Sequence, residues 1–134
     1  MRREWRDGNQ FTLLPGSTRF LPAMISAIDD ARVSIALELY LMESGQLTDR
    51  LITALSSAVQ RGVVVMALLD GVGSMGLAER DRQRLRDAGV SLRFFNPLAW
   101  RRLSKNLTRD HRKILVVDGA IAFTGGFGAV DDFL

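Results

Sequence analysis

The sequence predicts an α/β fold: an α/β/α sandwich on a mixed, largely parallel sheet. Three observations predict it. β-rich apolar runs alternate with segments of helical periodicity. The run VVVMALLD (63–70) is continuously apolar, as a strand covered on both faces must be. Two further β-rich runs are joined through Asp118-Gly119, which adds an antiparallel hairpin.

In chain order, QFTLL (10–14) reads as a short strand stopped by Pro15-Gly16. Phe20, Leu21, Met24, Ile25 and Ile28 recur at helical spacing, so 17–31 reads as a helix. Residues 33–41 are β-rich. Leu47, Leu51, Ile52, Leu55, Ala58 and Val59 form one face of a helix over 46–61, closed by Gly62. After the strand at 63–70 comes a loop at 71–76, then a polar, exposed helix over 78–88 closed by Gly89. VSLRFF (90–95) is a strand stopped by Asn96-Pro97. This order implies parallel strands linked by helices. KILVV (113–117) and AIAFT (120–124) form the hairpin around Asp118-Gly119.

At 134 residues, 1–134 is the size of one domain. The absence of cysteine excludes disulfides and cysteine zinc sites, and one histidine excludes a polyhistidine metal site. No metal or cofactor is expected. No apolar run approaches the roughly 18–20 residues that span a bilayer. MRREW leads into no apolar stretch, so no signal peptide is expected. Net charge is only +3, yet 101–113 (RRLSKNLTRDHRK) holds six basic groups, one acid and the only histidine. Such a run is either a solvated loop or an anion-facing rim.

The hairpin decides what that run can do. Side chains alternate faces along a strand, so His111 and Lys113 share a face if the strand begins by 111. A two-residue turn pairs 117 with 120, 115 with 122, 113 with 124 and 111 with 126. Lys113 then faces Thr124, and His111 faces Gly126. Gly125 and Gly126 let a ligand approach the backbone. An imidazole, an ammonium and bare backbone on one patch suit a phosphate group. Lysine acts as a point charge on a phosphoryl oxygen, and a neutral histidine attacks phosphorus or shuttles a proton. A lone strand-end histidine also has a purely structural reading. Asp118 has the opposite parity and sits in the turn, so it reads as structural.

The residues His111-Arg112-Lys113-ILVV-Asp118, followed by Gly125-Gly126, match the HxKxxxxD motif of the phospholipase D superfamily. WRDGNQFTLLPGSTRFLPAMISAIDDARVSIALELYL, RGVVVMALLDGVGS and AGVSLRFFNP are similar to the corresponding text of bacterial cardiolipin synthases. The resemblance covers nearly the whole chain. It implies a metal-free reaction in which the motif histidine attacks a phosphodiester and forms a phosphohistidine. The lysine holds the phosphoryl oxygens, and a histidine from a second motif protonates the leaving alcohol. Water or another alcohol then resolves the intermediate. Carried over, His111 is nucleophile or acid/base, Lys113 the phosphate ligand and Asp118 the motif aspartate. Thr124, Gly125 and Gly126, with Arg109 and Arg112 from the basic run, are the expected phosphate-binding residues. The implied partners are an anionic phospholipid, the membrane surface and a second motif-bearing half, downstream in the same chain or in a second copy. The implied location is peripheral, on the cytoplasmic side of a bacterial membrane.

Three departures stand out. Only one motif is present. Gly128 occupies a position where the family usually has a polar residue, which on hairpin parity removes a donor to phosphate, a bond of about 1.5–3 kcal/mol. The family's downstream acid that orients the histidine is missing before Leu134, with Asp131 and Asp132 as nearby substitutes. Two alternatives therefore stand beside lipid chemistry: a dimeric nuclease of the same superfamily, and an inactive anion-binding fragment. Glu38, inside an apolar strand, needs a partner or a place near the pocket. Asp70, at the carboxyl end of its strand, reads as a cap on the 71–76 loop, though α/β sheets place their sites at that end. Trp5, Trp100 and LAWRRL (98–103) suit either packing or a membrane interface.

Overall fold

The computed structural model describes residues 7–97 and 108–134. Trp5, Trp100, the LAWRRL segment and the basic run as far as residue 107 lie outside the described residues.

The first helix, α1, spans Ser17–Asp30, followed by strand β1 at Ser34–Leu39 and α2 at Gln46–Gln60. Strand β2 (Val64–Asp70), helix α3 (Glu79–Asp87) and strand β3 (Ser91–Phe95) complete the parallel part. The hairpin is β4 (Lys113–Val117) and β5 (Ile121–Thr124). A 3₁₀ turn at Asp131–Phe133 closes the described chain. Helices α2 and α3 end where the sequence says they must. Gly62 (φ 89°) and Gly89 (φ 90°) take the left-handed conformation, and the next residues, Val63 and Val90, donate back to the carbonyls of Ala58 and Leu85.

The five strands form one sheet in the order β3-β2-β1-β4-β5. β1–β2 and β2–β3 are parallel, while β1–β4 and β4–β5 are antiparallel. The sheet is thus mixed as expected, with half of its pairings parallel. The connections β1-α2-β2 and β2-α3-β3 step the same way across the sheet. Right-handed crossovers therefore place α2 and α3 on the same face, where α1 also packs.

Strand residues of one parity fill the space under these helices. Ile35, Leu37, Leu39, Val65, Ala67, Leu69, Leu115 and Val117 are all buried against Met24, Ile28, Leu51 and Leu55. The other parity is more open: Val64 and Met66 are 60% and 48% exposed. Burial in β2 thus alternates at first, although its sequence is apolar throughout. The second helical layer that a full sandwich requires is not among the described residues. α3 is not wholly exposed either, because Leu85 packs into the core and the buried Asp81 accepts from Ser44 and Arg84.

One expected strand is absent. Residues 10–14 run beside β5 but belong to no ladder, and Phe11 is 93% exposed. Pro15-Gly16 does end the segment, but β propensity alone does not supply a pairing partner. The segment forms one wall of a groove of about 880 Å³ against Phe20, Phe123, Phe127 and Gly125-Gly126.

The face assignment has a direct test. Leu115→Ala should destabilise the chain by about 2–5 kcal/mol. Met66→Ala, on the open face, should cost under about 1 kcal/mol. Urea denaturation of the two variants checks the contrast.

Candidate active site

β4 begins at Lys113, two residues after His111, and lies antiparallel to β1 with Lys113 opposite Leu39. The Tyr40 amide donates to the Arg112 carbonyl (3.0 Å), which carries the backbone pairing one bond past the strand end. His111 is therefore held at the mouth of the strand and not inside it, with its side chain exposed.

The structure brings His111 and Lys113 together. The Lys113 ammonium lies 3.2 Å from His111 Nδ1 and 3.5 Å from Nε2, and donates to the His111 carbonyl oxygen at 3.0 Å. The Tyr40 ring packs on the imidazole with centroids 4.4 Å apart, and the ammonium stands 5.5 Å from the centre of that ring. Tyr40 was not singled out by sequence. Its one available cue was position, at the carboxyl end of β1, where sites of α/β sheets gather.

Asp118 sits at the far end of β4. Its carboxylate accepts three backbone N–H groups: Arg32 (2.9 Å), Val33 (2.8 Å) and Ser34 (2.8 Å). Hydrogen bonds from Ser34, Arg32 and Val33 stabilise the carboxylate and hold its pKa below the ordinary aspartate value. The motif spacing thus measures one strand. Histidine and lysine stand at one end, and the aspartate, about 20 Å away at 3.3 Å per residue, fastens the other end to the start of β1.

The hairpin register differs from the expected one by a residue. Asp118 (φ 54°) and Gly119 (φ 64°) make the tight turn, and Ala120 donates to the Val117 carbonyl at 3.0 Å. Ala120 is then left over, and Val117 pairs with Ile121, Leu115 with Phe123 and Ile114 with Thr124. This single extra residue moves Thr124 to the Ile114 side of the sheet, away from Lys113. The ladder ends at Ile114 and Thr124, and continuing its register by one residue sets Gly125, not Thr124, opposite Lys113. A Cβ built on Gly125 or Gly126 would meet nothing within 4 Å, so open space adjoins both glycines.

Gly128 does not face that space. It is buried, and a Cβ there would stand 3.0 Å from the Leu41 Cβ and 3.1 Å from the Leu41 carbonyl oxygen. The position is closely packed and does not face the pocket, contrary to the expectation from hairpin parity. Asp131 does not reach the histidine either. It accepts the Gln46 and Leu47 amides at 3.0 and 2.9 Å and caps α2.

Arg109 and Arg112, the arginines of the basic run among the described residues, are held by carboxylates. Arg109 Nη1 lies 3.5 Å from Asp70 Oδ1 and 3.2 Å from the Asn96 carbonyl. Arg112 reaches Glu38 Oε1 at 3.2 Å and Asp110 Oδ1 at 3.6 Å, on the face of β4 opposite Lys113. Glu38 therefore has its partners. A hydrogen bond with Asp110, then burial, then the Asp110 charge push its carboxyl up, against the pull of Arg112. Among the described residues, no carboxylate lies within ion-pair distance of Lys113. Its ammonium stands beside the imidazole and over the Tyr40 ring.

Residues 24–130, most of the chain and all of the motif, match the family model described as "Cardiolipin synthase, PLD-like domain". The chain belongs to that family. It is 41% identical over 130 residues to cardiolipin synthase B of Salmonella typhimurium, covering 94% of this chain and 31% of that protein. It is 35% identical over 124 residues to cardiolipin synthase 1 of Bacillus anthracis, covering 91% and 24%. The chain thus spans under a third of the length of these relatives. Among solved structures, it resembles Nuc of Salmonella typhimurium, a phospholipase D family member (TM-score 0.66, 27% identity, 82% of this chain and 64% of that one). NucT of Helicobacter pylori shares the fold (TM-score 0.62, 19% identity, 84% and 69%).

Acid should expose the role of Asp118. Asp70, Asp118 and Asp131 are all held below the ordinary value of 3.8 when folded. The unfolded chain therefore binds more protons as pH falls, so their stabilisation is complete above about pH 4 and is lost below it. Asp118→Asn should lower stability at neutral pH and flatten the acid limb. Urea midpoints measured across the acid range check both effects.

Proposed function

We propose that this domain carries out phosphodiester transfer on an anionic phospholipid, as one of two motif-bearing halves of a cardiolipin synthase-type enzyme. The observation that carries the reading is the contact between the Lys113 ammonium and the His111 imidazole, exposed at the end of β4. A phosphoryl oxygen entering there draws Lys113 off the ring by charge. A bare imidazole nitrogen then forms a bond to phosphorus. The bond from phosphorus to the first alcohol breaks, and that alcohol takes a proton from a second motif histidine, supplied downstream in the same polypeptide or by a second copy. An acceptor hydroxyl attacks the phosphohistidine, gives its proton to the second histidine and restores the free imidazole. Gly125 and Gly126 adjoin the reacting phosphate. Arg109 and Arg112 support the site through Asp70 and through Glu38-Asp110, and Asp118 acts through the strand.

Lipid is favoured by the relatives' names, since both are called cardiolipin synthases. A phosphatidyl substrate places the domain at a membrane surface, on the cytoplasmic side and peripherally. No helix among the described residues is long and apolar enough to cross a bilayer.

The test is turnover in EDTA with phosphatidylglycerol vesicles and, separately, plasmid DNA. Lipid turnover abolished in His111→Ala, and lowered about 10²-fold or more in Lys113→Ala, supports the reading. A phosphorylated, acid-labile histidine should be trapped in the unmodified chain. Nicked DNA without lipid turnover replaces it with a nuclease. Silence on both substrates, from folded protein with the second motif-bearing half also present, leaves an anion-binding fragment.

A further inference from the structure

Asp70 is not adjacent to the motif strand. It ends β2, and β1 lies between β2 and β4. Yet its buried carboxylate (1% exposed) receives bonds from two separate parts of the chain. Oδ2 accepts the Asp110 amide at 2.9 Å, one peptide before His111. Oδ1 accepts the Val72 and Gly73 amides at 2.9 Å each, and Arg109 Nη1 stands 3.5 Å away. Every partner is a donor, so the site takes an acceptor on both oxygens, which an amide side chain cannot offer.

We infer that Asp70 is a positioning residue for His111, acting on the imidazole by two routes. The first is main chain. Asn96 donates to the Thr108 carbonyl at 2.9 Å and Asp70 receives the Asp110 amide, so the segment entering β4 is fixed at two points before the histidine. The second is the aromatic wall. The Val72-Gly73 turn held by Asp70 packs on Tyr40 so closely that a Cβ on Gly73 would overlap the Tyr40 carbonyl. Ser74, whose amide returns to the Asp70 carbonyl, directs its hydroxyl to the Tyr40 carbonyl oxygen. Tyr40 in turn packs against the imidazole. One carboxylate therefore sets both the backbone that carries the histidine and the ring it leans on. Its ionised form persists because the Gly73, Asp110 and Val72 amides and Arg109 together outweigh the upward push of burial.

This role rests on the proposed chemistry at His111, but two of its readouts do not need turnover. His111 is the only histidine in the chain, so its imidazole resonances are unambiguous. Asp70→Asn keeps the size and places an N–H where an acceptor stood. Wild-type protein should show a protected Asp110 amide in hydrogen exchange and one set of imidazole resonances that shift on titration with inorganic phosphate. Asp70→Asn should split or broaden those resonances and weaken the phosphate response. Where turnover is measurable, kcat should fall about 10²-fold with KM changed far less. An Asp110 amide that exchanges as freely as an exposed loop overturns the inference without any variant. So does a folded Asp70→Asn protein with lower thermal stability but unchanged imidazole resonances and kcat. A chain inactive on lipid that still shows the protected amide and the perturbed resonances overturns the lipid reading and leaves the positioning role standing.

Discussion

The site depends on an aspartate that is nowhere near it. Asp118 gathers three backbone N–H groups from Arg32, Val33 and Ser34 and so ties the end of β4 to the start of β1. Two strands that run antiparallel have one free coordinate, their relative slide. Fixing one end fixes the other, because the strand is stiff and rises a constant distance per residue. Leu39 then stands opposite Lys113, and His111 arrives beside Tyr40. A slip by one residue would turn Leu115 and Val117 out of the core and carry the lysine to the wrong face. The hydrophobic effect supplies the energy of this arrangement, but the three hydrogen bonds select the register.

Other aspartates work in the same way. Asp131 receives two amides at the start of α2, and Asp70 receives three from two loops. In each case an unpaired cluster of N–H groups at an element boundary finds an ionised carboxylate from far along the sequence. Backbone donors left without partners are costly, and charge-assisted bonds are among the stronger ones available. The pattern welds segments 40 to 86 residues apart without adding apolar bulk. It suits a site that must leave its own surface open.

Most of the fold was legible because its signals are local. Helical spacing located α1 and α2, and the glycines closing α2 and α3 occupy left-handed positions that other side chains resist. The hairpin followed from its turn dipeptide, whereas His111 lies beside Lys113 although β4 begins only at Lys113, outside the strand parity that the sequence suggested. What failed was set by non-local geometry. A turn dipeptide such as Asp118-Gly119 announces a hairpin but not whether a third residue follows it, and Ala120 shifted Thr124 to the other side. Residues 10–14 have strand-like composition but no ladder partner. Gly128 looked like a missing pocket donor, yet the space it preserves belongs to Leu41. Asp70 was visible as a loop cap. Its second partner, the Asp110 amide, lies forty residues on, and nothing in the sequence pattern links the two.

The distribution of charge explains why a basic run need not be a diffuse anion trap. Coulomb energy at a given distance depends on what else neutralises the cation. Arg109 lies beside Asp70, and Arg112 beside Glu38 and Asp110, so each arginine spends its field within the protein. Lys113 has as its neighbours an imidazole, a carbonyl oxygen and an aromatic face. Those groups hold an ammonium in place by dipole and quadrupole, leaving its formal charge uncompensated. On the proposed reading, a phosphodiester at this end of β4 would meet an unneutralised ammonium next to the imidazole. The same arrangement lacks a second proton donor, since the chain has one histidine. A leaving alkoxide would carry its charge into water unless another histidine arrived across the open side. Under the proposed chemistry, the single histidine of this chain accounts for the proposal of a second motif-bearing half.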